Sequence, residues 1–323
     1  MRRRACAAPR CAHRKVDEFE LIRRYFARPG DAPGVVLGVG DDGAVMRPEP
    51  GRDLVTVIDT LVEGIHFCAD IPPVDLGYRV VAVNLSDIAA MGARPMWMTL
   101  ALTLPGKPEQ WVNEFAQGLF EAADEHQVSL VGGDTTSGDT LVATVQVTGD
   151  VASGAAVSRK GAQPGDTVYV TGTLGDAAAG LSMAGSSAQD DFLVRRFRRP
   201  SARISVGLEL TRLASACIDV SDGLVGDLKK LLDASQVGCD LDLDALPLSE
   251  AMIGAFDANQ RLQFAATGGD DYELCFTSAK TVPGEIAGVA VTAIGTITET
   301  AGLDCRSGGR IVEVDDSGYR HFQ

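Results

Sequence analysis

Carboxylates stand at the ends of apolar segments in six places along this chain, each where a neutral residue would suit the local pattern better. In the run GVGDDGAV, Gly38 to Val45, glycines flank Asp41 and Asp42. Neighbouring carboxylates about 4 Å apart repel by about 4 kcal/mol at an effective dielectric of about 20, and a cation would relieve that. A plain Asp-Gly surface turn is the alternative. Asp59 ends the apolar run VTVID, as a residue facing a site beyond a sheet edge would, or as a strand-to-loop cap would. Asp87 shares a helical stripe with Leu76, Val80, Val83 and Met91. That stripe should face the core, and a buried carboxylate must find a metal, a cation or a proton. Arg79 and Arg94 are the candidate ion-pair partners that would make it purely structural.

The other three groups lie further along. Gly132 and Gly133 precede Asp134, Thr135 and Thr136, and paired glycines let backbone N–H groups approach a phosphate or simply make a turn. In IDVSDGL, Asp219 ends an apolar run, and Ser221 and Asp222 stand where a helix starts. Ser and Asp there are ordinary N-caps, yet a helix N-terminus also receives phosphate. Finally, Gly268-Gly269-Asp270-Asp271-Tyr272-Glu273 precedes the run YELCF, again as a turn or a site. Arg195, Arg196, Arg198 and Arg199 form a basic knot, expected to be a solvated helix end.

Other chemistries lack their residues. No GxxxxGK[ST] run occurs, so there is no P-loop. The four histidines (13, 66, 126, 321) are scattered, and the seven cysteines are odd in number with no CxxC pair, which argues against zinc and a disulfide framework. Isolated cysteines in apolar stretches suit buried positions in a reducing cytoplasm. With 29 Lys and Arg against 44 Asp and Glu, the formal charge of −15 disfavours nucleic acid and anionic membranes as partners. Six acidic groups without these alternatives suggest a multi-metal phosphate site, and oxygen ligands of this kind suit Mg²⁺.

The elements that must position these residues alternate. Helices are expected over 17–27, 75–91, 108–126, 201–214 and 222–235. Strands are expected over 53–59, 96–104, 140–148, 167–171, 216–220, 272–276 and 289–294. The Gly- and Pro-rich segment RKGAQPGD at 159–166 starts a second unit, so an α/β chain of 323 residues is expected to divide near residue 156 into domains 16–156 and 157–323. Residues 1–15 carry six Lys and Arg and no acid; no apolar core follows them, so they do not read as a secretory signal. They are expected to be dispensable, as a basic tail or an early start codon, because the amphipathic pattern begins at Val16.

The segments EFELIRRYF, GVGDDGAV, DTLVEGIHF, NLSDIAAMGARP, LVGGDTT, SRKGAQPGD, VTGTLGDAAAGL, IDVSDGL and GGDDYELCF together resemble the bacterial thiamine-monophosphate kinases, within the superfamily of aminoimidazole ribonucleotide synthetase. The resemblance runs from about Val16 to the C-terminus. It implies a two-domain α/β fold of that superfamily, and a homodimer whose N-terminal domains pair their sheets. It also implies transfer of a phosphoryl group from ATP to thiamine phosphate with several Mg²⁺ ions. By position it implies Asp42, Asp59, Asp87, Asp134, Asp219 and Asp222 as magnesium ligands. Gly133, Asp134, Arg159 and Ser221 would contact ATP, and His66, Asp270 and Tyr319 thiamine phosphate. Two departures stand out: Val57 and Ile58 precede Asp59 where relatives often carry hydroxyls, and Asp270 replaces a common Glu. A sister ATP-dependent synthase or a non-catalytic sensor of Mg-ATP or thiamine phosphate is the competing expectation. Direct in-line transfer without a general base is expected, since a phosphate monoester with a second pKa of about 6 is already an oxyanion at neutral pH.

Overall fold

The computed structural model describes residues 18–28, 32–183 and 191–314; the basic N-terminus and Tyr319 lie outside them. The chain opens with a short helix, α1 (Glu18–Leu21), continued in wide turns to Phe26, and a hairpin of β1 (Val35–Leu37) and β2 (Val45–Met46). Then follow β3 (Arg52–Val62), α2 (Pro73–Ala90), β4 (Arg94–Leu104), α3 (Glu109–Glu125), β5 (Ser129–Ser137) and β6 (Val142–Ala152). These four longer strands form one sheet in the order β3-β6-β4-β5, antiparallel except for the β4–β5 pair. Val55, Leu61, Val145, Val147, Met98 and Leu102 fill its buried face, against which α2 and α3 pack. The opposite face is open: Leu54 and Ile58 are exposed, beside a ladder of hydroxyls and amides that includes a Thr60–Thr144 bond of 2.8 Å.

The second half supplies β7 (Thr167–Thr171), α4 (Asp176–Met183), α5 (Phe192–Arg198), α6 (Ile204–Leu213), β8 (Ala216–Asp219), α7 (Leu224–Ser235) and β9 (Gly238–Asp242). It continues through α8 (Glu250–Ala255), α9 (Ala258–Thr267), β10 (Leu274–Ser278), β11 (Glu285–Ile286), β12 (Val289–Thr298), β13 (Gly302–Ser307) and β14 (Arg310–Ile311). The second sheet runs β14-β13-β9-β12-β7-β10-β8, with β11 paired to β12; only the β13–β9 pair is parallel among the described residues. One face packs on α7 and α9 through Val168, Ile218, Leu228 and Cys275. The other, with Cys217, Leu274 and Phe276, joins the core of the first half through α6.

Helix α2 is therefore the element between the two sheets. A single apolar stripe is expected from its sequence, but thirteen of its eighteen residues are buried, because the first sheet, α3 and α6 all press on it. A helix buried on most sides has a weak amphipathic pattern. Its crossing with α3 needs glycine: a Cβ on Gly118 would lie 1.7 Å from the Val74 carbonyl oxygen. Pro73 opens the helix with its fixed φ, and Gly92, at φ +67°, lets the chain leave it.

The element expectations hold in kind with shifted ends. The strand at 140–148 extends to Ala152, that at 289–294 extends to Thr298, and that at 272–276 begins at Leu274. The basic knot differs more. Arg196 is buried and bound to Glu273 at 2.9 Å, and Arg199 bridges Asp75 at 2.5 Å and Glu121 at 3.0 Å. Arg196 and Arg199 staple α5 to neighbouring elements, while Arg195 is exposed as expected.

Candidate active site

Asp59 lies near the end of edge strand β3, and Asp87 lies in the last turn of α2, which packs on that strand. Their carboxyl groups lie close enough that each shifts the other's titration. Burial first, then the charges of Asp219 and Asp59, push Asp87 up to about 8; the Arg159 guanidinium works against this. Burial also raises Asp59, to which the Asp222 charge adds, while the neighbouring Asp87 carboxyl opposes the rise. The arginines that would make Asp87 structural are engaged elsewhere, Arg79 with Asp270 at 2.5 Å and Arg94 with Asp150 at 2.9 Å.

Asp219 ends β8 and is almost wholly buried. Burial and the Asp227 charge push it up to about 7, and a 2.8 Å hydrogen bond donated by Ser86 works the other way. Ser86 precedes Asp87 on α2, so one helix carries one carboxylate of the group and orients another from the second half.

The loop after β8 is not held by N-caps of its own. Gly223, at φ +116°, takes the cap position of α7, and Asp227 reaches back from the first turn to accept the Ser221 and Asp222 N–H groups, both at 2.9 Å. Lys230 bridges Asp222 at 2.6 Å and Asp227 at 2.8 Å. The Ser221 hydroxyl and the open side of Asp222 are thus presented by a rigid loop.

Other residues named from sequence lie apart. Asp42 is exposed in the β1–β2 loop, its N–H donating to Asp41 Oδ1 at 2.8 Å. Gly133 and Asp134 do not form a turn but sit within edge strand β5, where a Cβ on Gly133 (φ +153°) would meet the Leu100 carbonyl oxygen at 1.9 Å. Gly133, Leu100, Val145 and Asp59 share one row across the sheet, so Asp59 and Gly133 stand three strand spacings apart, about 14 Å. Among the described residues, no three His, Cys, Asp or Glu side chains converge closely enough to hold an ion alone. His66 accepts the Val62 N–H on Nδ1 at 3.0 Å in the turn after β3.

In the segment GGDDYE each carboxylate goes to a different element. Asp270 takes Arg79 of α2; Asp271, fully buried, accepts the N–H groups of Gly175 at 2.5 Å and Ala177 at 3.1 Å; Glu273 takes Arg196, Arg203 and the Thr171 hydroxyl. The last two are structural, and only Asp270 remains partly open, its side chain 29% exposed. Sequence reasoning singled out neither Ser86 nor Asp227; their only signal is a polar residue within an otherwise apolar helical stretch.

These residues fit Mg²⁺ that is shared with substrate phosphates. The ion usually takes one or two carboxylates plus phosphate oxygens and water, and two neighbouring half-buried carboxyls, raised by burial and by the charges of Asp219 and Asp222 with Arg159 opposing at Asp87, form a donor set short of positive charge. A cavity of about 840 Å³ opens elsewhere, beside Gly38, Arg47, Met96, Phe120 and Leu130, and holds none of these carboxylates.

The chain matches the AIR synthase related protein N-terminal domain over residues 40–151 and the corresponding C-terminal domain over 163–306. It is 44% identical to thiamine-monophosphate kinase of Escherichia coli (strain K12), an alignment covering 94% of this chain and 98% of that protein. The crystal structure of thiamine-monophosphate kinase from Stenotrophomonas maltophilia K279a superposes with a TM-score of 0.80 at 40% identity, covering 86% of this chain and 92% of that one. AaThiL complexed with AMPPCP and TMP superposes with a TM-score of 0.76 at 31% identity, covering 88% and 92%. Near-complete coverage at this identity, on a fold that brings Asp59, Asp87 and Asp219 within reach of one another's charge, places the chain in the thiamine-monophosphate kinase family.

Proposed function

We propose that this protein is a thiamine-monophosphate kinase that transfers the γ-phosphoryl group of ATP directly to the phosphate of thiamine monophosphate, giving ADP and thiamine diphosphate. The observation that carries this is the Asp59–Asp87–Asp219 group, carboxyls assembled from both halves of the chain with too little positive charge of their own. Asp59, Asp87, Asp219 and Asp222, with Asp42 and Asp134, would hold Mg²⁺. Bound there, the ions supply charge cancellation between two polyanions and alignment for in-line transfer.

The protein's own groups do the rest. Arg159, exposed beside the carboxylates, donates to the nucleotide phosphates, and the backbone of Gly133 lets them approach closely. Ser221, its N–H held by Asp227, offers its hydroxyl to the nucleotide. Asp270, His66 and Tyr319 hold the thiamine phosphate. No residue need remove a proton, because the acceptor oxygen is already ionised near neutral pH.

The protein works as a cytoplasmic homodimer in this reading, with two domains dividing near residue 156. No helix among the described residues is long and apolar enough to cross a membrane. The open sheet face with Leu54 and Ile58, flanked by β3 and β5, whose outer edges pair with no other strand among the described residues, supports pairing with a second copy. Such pairing gives Asp134, about 14 Å from Asp59's edge of its own sheet, an acidic group to join.

The test is thiamine diphosphate formation from thiamine monophosphate, ATP and Mg²⁺, read as fluorescent thiochrome, with free thiamine as parallel acceptor. Product from the monophosphate alone, abolished by EDTA, is expected. Absence of product while Mg-ATP still binds would transfer the assignment to another ATP-dependent activity of the fold. Light scattering at the elution peak checks the dimer, and a monomer at working concentration would refute it.

A further inference from the structure

Arg79 is nearly fully buried on α2, two turns before Asp87, yet its guanidinium leaves the first half of the chain altogether. One terminal nitrogen donates to the Phe197 carbonyl oxygen at the end of α5, and the other to Asp270 Oδ1 at 2.5 Å. The guanidinium stacks on the Phe197 ring, 4.6 Å from its centroid, with the Tyr272 ring 5.9 Å away. The Tyr272 hydroxyl donates to the same Asp270 oxygen at 3.1 Å. Asp270 Oδ1 is thus taken twice, while the carboxylate keeps partial access to solvent.

The backbone explains why such a clamp is needed. Asp270 and Tyr272 both have positive φ, +72° and +53°, a region that costs non-glycine residues energy and persists only when surrounding contacts impose it. Asp271 and Glu273 are pinned on either side of Tyr272 by the start of α4 and by Arg196 and Arg203. What those pins leave undecided is the rotation of the Asp270 side chain, and Arg79 with Tyr272 decides it.

We propose that Arg79 is a positioning residue for the acceptor: it fixes the Asp270 carboxylate so that Oδ2 faces the ligand as an oriented, charge-neutralised hydrogen-bond acceptor suited to an N–H donor of the substrate's heterocycle. This deepens the kinase assignment and rests on Asp270 touching the acceptor. Because Arg79 belongs to the helix that carries Ser86 and Asp87, the same rod orders the acceptor anchor and the carboxylate group.

The test compares Arg79→Met, Arg79→Lys, Asp270→Asn and the Met/Asn double variant, with KM for thiamine monophosphate and for ATP, kcat, and melting temperature. A charge-assisted hydrogen bond of this kind is worth about tenfold or more. Arg79→Met should therefore raise the acceptor KM at least tenfold, with the ATP KM within about twofold. The double variant should be no worse than Asp270→Asn alone, since the two residues act through one group. Arg79→Lys, which keeps the charge and loses the fork, should fall between and serves as the reporter if the Met variant does not fold. A folded Met or Lys variant with wild-type acceptor KM, or equal rises in both KM values, overturns the proposal while leaving the kinase assignment intact. Unchanged acceptor KM in Asp270→Asn overturns its premise instead, and absence of wild-type turnover overturns the assignment itself.

Discussion

Replacing Asp87 with asparagine should stabilise the metal-free protein while removing its activity. A rise of the Asp87 carboxyl from 3.8 to about 8 corresponds to about 6 kcal/mol at about 1.36 kcal/mol per tenfold in proton affinity. A folded-state value above the unfolded one means that this group's stability is present below about pH 4 and lost as pH rises toward 8. The titration of this carboxyl is tied to that of Asp59, and an amide still needs a partner in the half-buried site. We therefore expect about 1.5–3 kcal/mol of the penalty to be recovered, or about 3–10 °C in melting temperature at pH 8. Melts of wild type and Asp87→Asn in EDTA from pH 4 to 8 should coincide at the acid end and diverge steadily above it, the variant melting higher. With Mg²⁺ and ATP added, the wild type should gain more than the variant if Asp87 is one of the Mg²⁺ ligands, as proposed. A variant that melts lower than wild type at pH 8 in EDTA and retains kcat would refute the reasoning, because Asp87 would then be a satisfied structural carboxylate.

Asp227→Ala frees the Ser221 and Asp222 N–H groups and leaves Lys230 on Asp222 alone; the Mg²⁺ concentration for half-maximal activity should rise about tenfold or more, and an unchanged titration would show that the loop needs no brace. Gly118→Ala forces a methyl into the α2–α3 crossing and should cost about 1–3 kcal/mol or more, read as a lower urea midpoint; a wild-type midpoint would show that the helices can part freely. At Asp150, burial opposes ionisation, but hydrogen bonds from Arg52 and Arg94 prevail and hold the carboxyl below its ordinary value. Its stabilisation is present above about pH 4 and lost as pH falls below that, so the melting difference between wild type and Asp150→Asn should shrink on acidification; a constant difference would argue against the ion pair. Single-turnover reaction with γ-labelled ATP should leave no labelled protein, and a trapped phosphoprotein would rule out direct transfer.

The sequence by itself determined the longer, strongly patterned elements and the carboxylates of the site, while strand β5, the short helices α4, α5, α8 and α9, and the braces Ser86 and Asp227 were not legible in it. Strand β3 and helix α2 were legible because β-branched residues and apolar periodicity leave few other options, and Asp59, Asp87 and Asp219 stood out against apolar surroundings. It also carried the family, through strings whose order no local rule demands. Tertiary structure alone decided which carboxylates meet. Asp59, Asp87 and Asp219 come together because α2 lies between the two sheets, a placement set by long-range packing and by glycine-sized crossings such as that at Gly118. The same packing buried Arg196 and turned Arg199 into a staple, although four basic residues in five read as a surface by composition. Local pattern records what a residue prefers. Burial and charge partners depend on chain segments up to 191 residues apart, as Arg79 and Asp270 are, and no window of sequence contains both.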